Sequence, residues 1–307
     1  MSDKTGITWT NATWGPVTGC NKVSPACKYC YAERDWARLV HLPTYAGRKF
    51  TDVACHPERL DQPLRWQRSR FIFVNSMSDL FHEDVPDEFI DRVFAVMALA
   101  KQHTFQVLTK RPERMLAYMT RLSKSAQLLD VAARTMGYTF KYDGQYFVSW
   151  PIPNVWMGVS VENQETANKR ISLLLQTQAV VRFVSAEPLL GPVLLKEACG
   201  QAGNLDWVIV GGESGPKARL THPGWAHSLL DECQHAGIPF FFKQTGLWQA
   251  LGPGEAEKQL FNNKPKKIQW DTTFVKTKGG GSDLLDGRQW QEWPIAHHRT
   301  RSKFATT

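Results

Sequence analysis

No stretch of the 307-residue chain approaches the ~18 uncharged apolar residues that a membrane-spanning helix needs, which excludes a helical span. The opening residues, MSDKTGITWT, lack the basic, apolar and small-residue regions of a secretory signal, so the expected compartment is the cytoplasm and no membrane partner is expected. A disulfide scaffold is excluded on the same ground, because reducing compartments keep thiols free. Internal repeats are missing apart from an alternation of strand-like and helix-like segments. Acidic residues are the minority: 37 Lys and Arg against 29 Asp and Glu leave a net charge of +8, compatible with a polyanionic partner. What the chain does have is tryptophan, twelve of them, and aromatics beside basic residues fit stacked nucleobases as well as they fit a core.

The length alone, at ~150 residues per domain, points to two domains, yet α/β barrels of this size fold as one. Short apolar, β-branched runs end in small or polar residues and lead into segments of helical period. After a weak first run, Trp14 to Thr18, these are Phe71 to Val74, Phe105 to Leu108, Val155 to Val159, Val181 to Val184, Trp207 to Val210 and Ile238 to Phe242. Helices are expected from about Pro86 to Lys101, Pro112 to Leu122, through Leu173 to Leu175, and near Trp225 to His235. The runs are continuous rather than alternating, the mark of parallel strands covered on both faces. The expected fold is therefore α/β, a partial or complete parallel (β/α) barrel or a doubly wound sheet, with functional groups at the carboxyl ends of the strands. Residues 1–248 would form the barrel. Residues 123–150 would be an insertion, with a helix over Ser125 to Met136 and a hairpin around Asp143-Gly144. Residues 249–307 would be an irregular C-terminal extension packed on the barrel, its end disordered.

Of six cysteines, Cys55, Cys199 and Cys233 are scattered and read as small buried hydrophobes, whereas Cys20, Cys27 and Cys30 fall within eleven residues. They lie where the first strand runs into a loop and then a helix expected from about Ala26. Three thiolates at C-x6-C-x2-C spacing can hold zinc or an iron-sulfur cluster. No second C-x2-C pair exists, and His41, Cys55 and His56 stand at no recognisable finger spacing. Three protein ligands leave one metal position for a ligand that is not protein.

Three cysteines after the first strand of a β/α barrel, with the aromatic Tyr29 just before the last of them, resemble the radical S-adenosylmethionine (SAM) superfamily. The first gap here is six residues where the superfamily usually has three. The sequence is more similar to a phage- and prophage-associated branch, through Leu108-Thr-Lys-Arg-Pro112, Gly158-Val-Ser-Val-Glu162, Ser185-Ala-Glu-Pro-Leu-Leu190, Val210-Gly-Gly-Glu-Ser-Gly215 and Phe242-Lys-Gln244. The resemblance implies a [4Fe-4S] cluster on Cys20, Cys27 and Cys30, SAM on its fourth iron, and a 5′-deoxyadenosyl radical that abstracts hydrogen from the substrate. It also implies a reductant such as flavodoxin or ferredoxin and, for a phage-encoded chain, the host cytoplasm.

At the end of the second strand, Asn75-Ser76-Met77-Ser78-Asp79 offers the acceptors a SAM ammonium needs; Ser78 and Asp79 would serve equally as turn caps. Ser160 and Glu162 end the fourth strand, where the superfamily meets the SAM carboxylate or ribose, although Glu162 also suits a helix N-terminus. Gly211-Gly212-Glu213 spells the family's ammonium-binding tripeptide but closes the sixth strand, so its glycines are read as admitting a ligand close to the backbone. Lys110 and Arg111 would hold a carboxylate or phosphate, or be solvated. Glu187, Glu213, Lys243 and Gln244 are the substrate-facing candidates, of which Glu187, Glu213 and Lys243 would be catalytic.

For substrate, the phage association and the net charge point to DNA, and to modification or isomerisation of a hypermodified, amino-acid-substituted thymidine. A radical SAM enzyme for tRNA, a peptide or a small metabolite remains as an alternative. So does a non-catalytic, metal-stabilised nucleic-acid-binding module.

Overall fold

The computed structural model describes residues 5–125, 127–140, 149–200, 205–251, 266–270, 272–277 and 281–294. Seven strands form: β1 Ala12–Trp14, β2 Phe71–Val74, β3 Thr104–Thr109, β4 Val155–Ser160, β5 Arg182–Ala186, β6 Trp207–Gly211 and β7 Phe240–Gln244; the last six arise from the expected apolar runs, whereas the first lies ahead of the expected Trp14 to Thr18, whose Val17–Thr18 pairs antiparallel with Ala54–Cys55 instead. They lie in one sheet in chain order. Pairing is parallel through β1, β2, β3 and β4, and again through β5, β6 and β7. Each strand beside its successor, with helical crossovers, is the topology of a partial (β/α) barrel, as the continuous apolar runs predict. Every residue of β4 and β6 is buried, which requires cover on both faces.

The helices are α1 Tyr31–Leu39, α2 Asp87–Leu99, α3 Pro112–Lys124, α4 Gln127–Thr135, α5 Gln164–Gln176, α6 Leu195–Cys199 and α7 Pro223–Ala236. Local chemistry explains their ends. Asp87 and Glu88 fill the first turn of α2, where the helix dipole favours acid. Gly237, at φ 66°, closes α7 and donates its N–H to the Cys233 and Gln234 carbonyls; the left-handed geometry there suits glycine.

The chain divides into two compact units, one of Met1–Ser160 with Arg170–Arg182 and one of Val161–Lys169 with Phe183–Thr307. In the first, the 123–150 region supplies α4, and the hairpin expected around Asp143-Gly144 lies outside the described residues. In the second, the tail expected to be irregular forms a three-stranded antiparallel sheet, β8 Trp248–Ala250, β9 Lys266–Gln269 and β10 Thr272–Lys276, in the order β8-β10-β9. A hairpin of Leu284–Leu285 with Arg288–Gln289 follows, turning on Asp286-Gly287 at φ 52° and 73°. These strands escape a hydrophobicity pattern because they are short and rich in Lys and Thr. Only Phe274 and Val275 of β10 are buried, Phe274 packing with Ala218, Leu220 and Trp248.

The tryptophans are mostly core. Trp9, Trp14, Trp36, Trp156, Trp207, Trp248 and Trp290 are buried, and Trp270 is the exposed one. Among the scattered cysteines only Cys233 is fully buried; Cys55 and Cys199 are partly exposed, so the expectation for those two is corrected. Among the described residues, no helix is long and apolar enough to cross a membrane.

Two of the three buried histidines of the first unit, His103 and His56, contribute to an acid limit on its stability. His103 stacks edge-on against Trp66 and Phe105 and shares a 3.0 Å hydrogen bond with the Pro63 carbonyl through Nε2. His56 sits between the Thr18 hydroxyl at 2.7 Å and Glu58 at 3.0 Å. Burial lowers both below their ordinary 6.5. The unfolded chain therefore takes up these protons first, and stability is full above about pH 6.5 and lost as pH falls toward the lowered folded values. The expected slope is at most about 1.4 kcal/mol per pH unit for each histidine. Melting temperatures from pH 8 to 5 should fall in that window, and His103→Gln should flatten the fall.

Candidate functional site

The first unit builds the cysteine cluster on tightly fixed backbone. Gly19, at φ 88°, precedes Cys20, and a Cβ there would lie 2.6 Å from the Asp52 carbonyl oxygen, so only glycine fits this crossing. Gly19 also bridges Ser78 as a parallel pair, and the Cys20 N–H donates to the Phe50 carbonyl at 2.9 Å. The expected helix from Ala26 is corrected: Pro25–Tyr29 form a 3-10 turn carrying Cys27, and α1 starts at Tyr31, with Cys30 between them. Pro25 opens that turn and Cys30, at ψ 128°, breaks it before the α-helix begins. All three thiols are partly exposed. The Tyr31 hydroxyl donates to the Ser76 carbonyl, which ties the start of α1 to the loop after β2.

That loop holds a buried polar network. Asp79, 5% exposed, accepts on Oδ1 from the Phe81 N–H at 3.0 Å and the Thr109 hydroxyl at 2.7 Å. On Oδ2 it accepts from the Lys110 N–H at 3.0 Å and the Arg111 guanidinium at 3.3 Å. Arg111 also donates through Nε to Glu83 at 3.0 Å, through Nη1 to the Cys20 sulfur at 3.6 Å, and through Nη2 to the Asn21 side-chain oxygen. Asn21 in turn donates to Glu83 at 3.0 Å, and His82 Nε2 lies 2.8 Å from the Asn21 oxygen. Because the Asp84 N–H donates to His82 Nδ1 at 3.1 Å, Nε2 carries the proton.

Charge follows from these contacts. Burial, with Asp79 adding to it, raises the Cys20 thiol to about 11 against the opposing pull of Arg111. The bond from Asn21, then a backbone N–H, then Arg111 hold Glu83 down at about 2. Burial lowers His82, and the Arg111 charge adds to that. Asn21, His82 and Glu83 carry no spacing signal, since partners such as Asn21 and Glu83 stand 62 residues apart and meet only through the fold. Arg111, expected to face a ligand or solvent, is instead turned inward and is only 9% exposed.

The other expected SAM contacts in this unit are placed as follows. Tyr29 ends the 3-10 turn beneath the Lys28 ammonium, 5.5 Å from its ring centre. The Ser78 hydroxyl donates to the Val17 carbonyl at 2.8 Å. Ser160 closes β4, buried, with its carbonyl accepting from Arg170 at 2.6 Å. Among the described residues no three His, Cys, Asp or Glu side chains converge tightly enough for a single metal ion. A four-iron cluster spreads its thiolates more widely than one ion does. Three partly exposed thiols on one short segment, with a guanidinium donor against the first, form a donor set that fits such a centre.

The second unit gathers its own polar groups at the ends of β5, β6 and β7. Lys243 and Glu187 form a 2.6 Å ion pair, each side chain about one-fifth exposed. Glu213 accepts from the Arg219 N–H at 2.8 Å and from Arg219 Nε at 2.9 Å, which caps the loop after β6. Glu162 is fully buried; its N–H donates to Thr166 at 3.0 Å and its carbonyl accepts from Leu190 and Gly191 at 2.8 and 3.1 Å. Gln244 accepts the Gly212 N–H on its carbonyl at 2.9 Å. The close approach expected at Gly211-Gly212 is to the chain itself. A Cβ on Gly212 would lie 2.1 Å from the Thr245 carbonyl oxygen, and one on Gly211 would lie 3.2 Å from the Glu187 carboxyl carbon.

A family model described as protein of unknown function (DUF5131) matches residues 4–294. No curated protein matches the chain. Two solved structures, both variants of spore photoproduct lyase, are similar to it. The first shares 11% identity at a TM-score of 0.40, covering 87% of this chain and 68% of that one. The second shares 10% at 0.39, covering 85% and 67%.

Proposed function

The chain belongs to the DUF5131 family, and for it we propose a radical SAM enzyme whose [4Fe-4S] cluster is held by Cys20, Cys27 and Cys30. The observation that carries this reading is the placement of three partly exposed thiols on one segment directly after the first parallel strand, with no fourth protein ligand in their motif. When bound, the cluster and SAM supply one-electron cleavage of SAM and hydrogen abstraction from an unactivated carbon, chemistry that belongs to the cofactor. The chain's own residues bind and orient. Gly19 and the Phe50 carbonyl fix the backbone at Cys20. Tyr31 fastens α1 to Ser76, and Asp79 and Arg111 hold the second and third strand ends beside the thiols. Tyr29, Ser76, Ser78, Asp79, Ser160 and Glu162 are the proposed SAM contacts.

In the second unit, Glu187, Glu213 and Lys243 are the proposed substrate-side groups. Lys243 Nζ, which donates to Glu187 at 2.6 Å, is the proposed donor to a substrate carboxylate or phosphate. For substrate we propose a DNA base, an amino-acid-substituted thymidine in phage DNA, supported by the net charge of +8. A flavodoxin- or ferredoxin-type protein is the proposed reductant.

The test is anaerobic reconstitution followed by dithionite and SAM. About four irons per chain and release of 5′-deoxyadenosine are expected; one bound zinc and intact SAM would mean a metal-stabilised binding module instead. In the same preparation, DNA binding should weaken steeply between 50 and 200 mM salt, as phosphate contacts require. Salt-insensitive binding with turnover on a free nucleotide would move the substrate to small metabolites.

A further inference from the structure

Among the described residues, Arg111 is the buried cation that joins the proposed cluster to the strand ends. It is 9% exposed and makes four kinds of bond: to the Glu83 carboxylate at 3.0 Å, to the Asp79 carboxylate at 3.3 Å, to the Asn21 side chain, and to the sulfur of Cys20 at 3.6 Å. Two carboxylates would hold an arginine in place without help from a thiol. The fork of the guanidinium is what lets one nitrogen serve Asp79 and the Cys20 sulfur together while the other two serve Glu83 and Asn21.

We propose that Arg111 is a positioning residue that sets the reduction potential of the cluster through its N–H···S bond to Cys20. The inference rests on the cluster reading above. Reduction adds one electron, supplied by a flavodoxin- or ferredoxin-type donor, and part of that charge resides on the cysteine sulfurs. A donor hydrogen bond and a full positive charge in a water-poor setting stabilise the reduced state more than the oxidised one. Hydrogen bonds to the sulfurs, net charge and exposure are the established levers on such potentials. Asp79 opposes the effect, since its negative charge lies against the same guanidinium nitrogen that donates to the Cys20 sulfur. The chain thus holds a balanced pair beside one ligand of the cluster: Arg111 draws the potential up and Asp79 draws it down.

The two neutralising carboxylates explain why this cation can be buried at all, and they shape the test. Arg111→Ala would leave Asp79 uncompensated and risk misfolding. Arg111→Lys keeps the charge against Asp79 and Glu83 but loses the fork that reaches sulfur. The double replacement Arg111→Gln with Asp79→Asn removes both buried charges at once and leaves only Glu83, solvent-exposed and still bonded by Asn21, without its guanidinium. Each protein is reconstituted anaerobically, its iron counted, and its cluster titrated by spectroscopically monitored reduction with dithionite and mediators. With about four irons per chain throughout, the expected midpoint is more negative in Arg111→Lys than in the wild type. It should be more positive in Asp79→Asn alone, and the double variant should fall below Asp79→Asn. Equal midpoints in clusters of full iron content would overturn the role of Arg111 while leaving the cluster reading intact. A wild-type chain that takes up no cluster would overturn both.

Discussion

Replacing Cys20, Cys27 or Cys30 by alanine is expected to abolish the iron-sulfur centre, each variant alone. Reconstituted iron should drop from about four per chain to a fraction of one, the visible absorption near the cluster's charge-transfer bands should vanish, and SAM cleavage should fall to background. The size of the effect follows from the ligand count. The motif supplies three thiolates and no spare, so a single loss leaves two. Cys55 pairs across from Val17 in a short antiparallel bridge, and the nearby imidazole of His56 is already engaged by Thr18 and Glu58. Cys55→Ala, Cys199→Ala and Cys233→Ala provide the control. All three should keep full iron, although Cys233→Ala, at a fully buried position, should lower the melting temperature slightly. Iron retained at wild-type level in any of the three motif variants would remove that cysteine from the ligand set.

The strands were legible because their burial leaves a direct mark. A strand covered on both faces must be apolar at every position, and Val155 to Val159 or Trp207 to Val210 can be read in no other way once helical segments flank them. The observed strands run one or two residues past the expected ends, into Ser160, Ala186 and Gly211, because ladder hydrogen bonds do not stop where hydrophobicity does. The tail strands were hidden for the opposite reason. In β9 and β10, lysine and threonine occupy most positions, and in β10 burial is confined to Phe274 and Val275.

Site chemistry was legible at the cysteines, where three donors sit on one local segment. It was not legible where the fold brings distant residues together. Arg111 looked like a free cation because its partners, Cys20, Asn21, Asp79 and Glu83, lie 91, 90, 32 and 28 residues away. The tryptophan excess shows the converse ambiguity. Twelve tryptophans beside basic residues have the composition of a stacking surface, yet seven of them are buried and fill the core. Composition counts aromatics without saying which way they face.

Asp79→Ala is expected to be the most destabilising polar substitution in the first unit, and it separates two roles that the sequence leaves entangled. As a contact for the SAM ammonium alone, Asp79 would carry little of the fold, and its loss would leave stability unchanged or improved while SAM binding weakened. The geometry predicts otherwise. Both carboxylate oxygens are spent on the protein: Oδ1 on the Phe81 N–H and the Thr109 hydroxyl, Oδ2 on the Lys110 N–H and Arg111. The residue is 5% exposed and its cationic partner 9% exposed, so truncation leaves the buried guanidinium with Glu83 as its one carboxylate partner among the described residues. Breaking a buried pair by removing one partner costs about 3–5 kcal/mol. The stranded donors are part of that cost and are not added to it. Asp79→Asn, which keeps one oxygen as an acceptor but faces an amide toward donors, should lose part of that amount. With two compact units the denaturation profile need not be two-state, so the informative measurement is local. Native-state hydrogen exchange should show the amides of β2 and β3 exchanging faster by a factor of about 10² to 5 × 10³, the equivalent of that loss at 1.36 kcal/mol per tenfold. Unchanged protection in Asp79→Ala, together with weakened SAM binding, would show that Asp79 serves the ligand and that Thr109, Lys110 and Arg111 hold the strand ends without it.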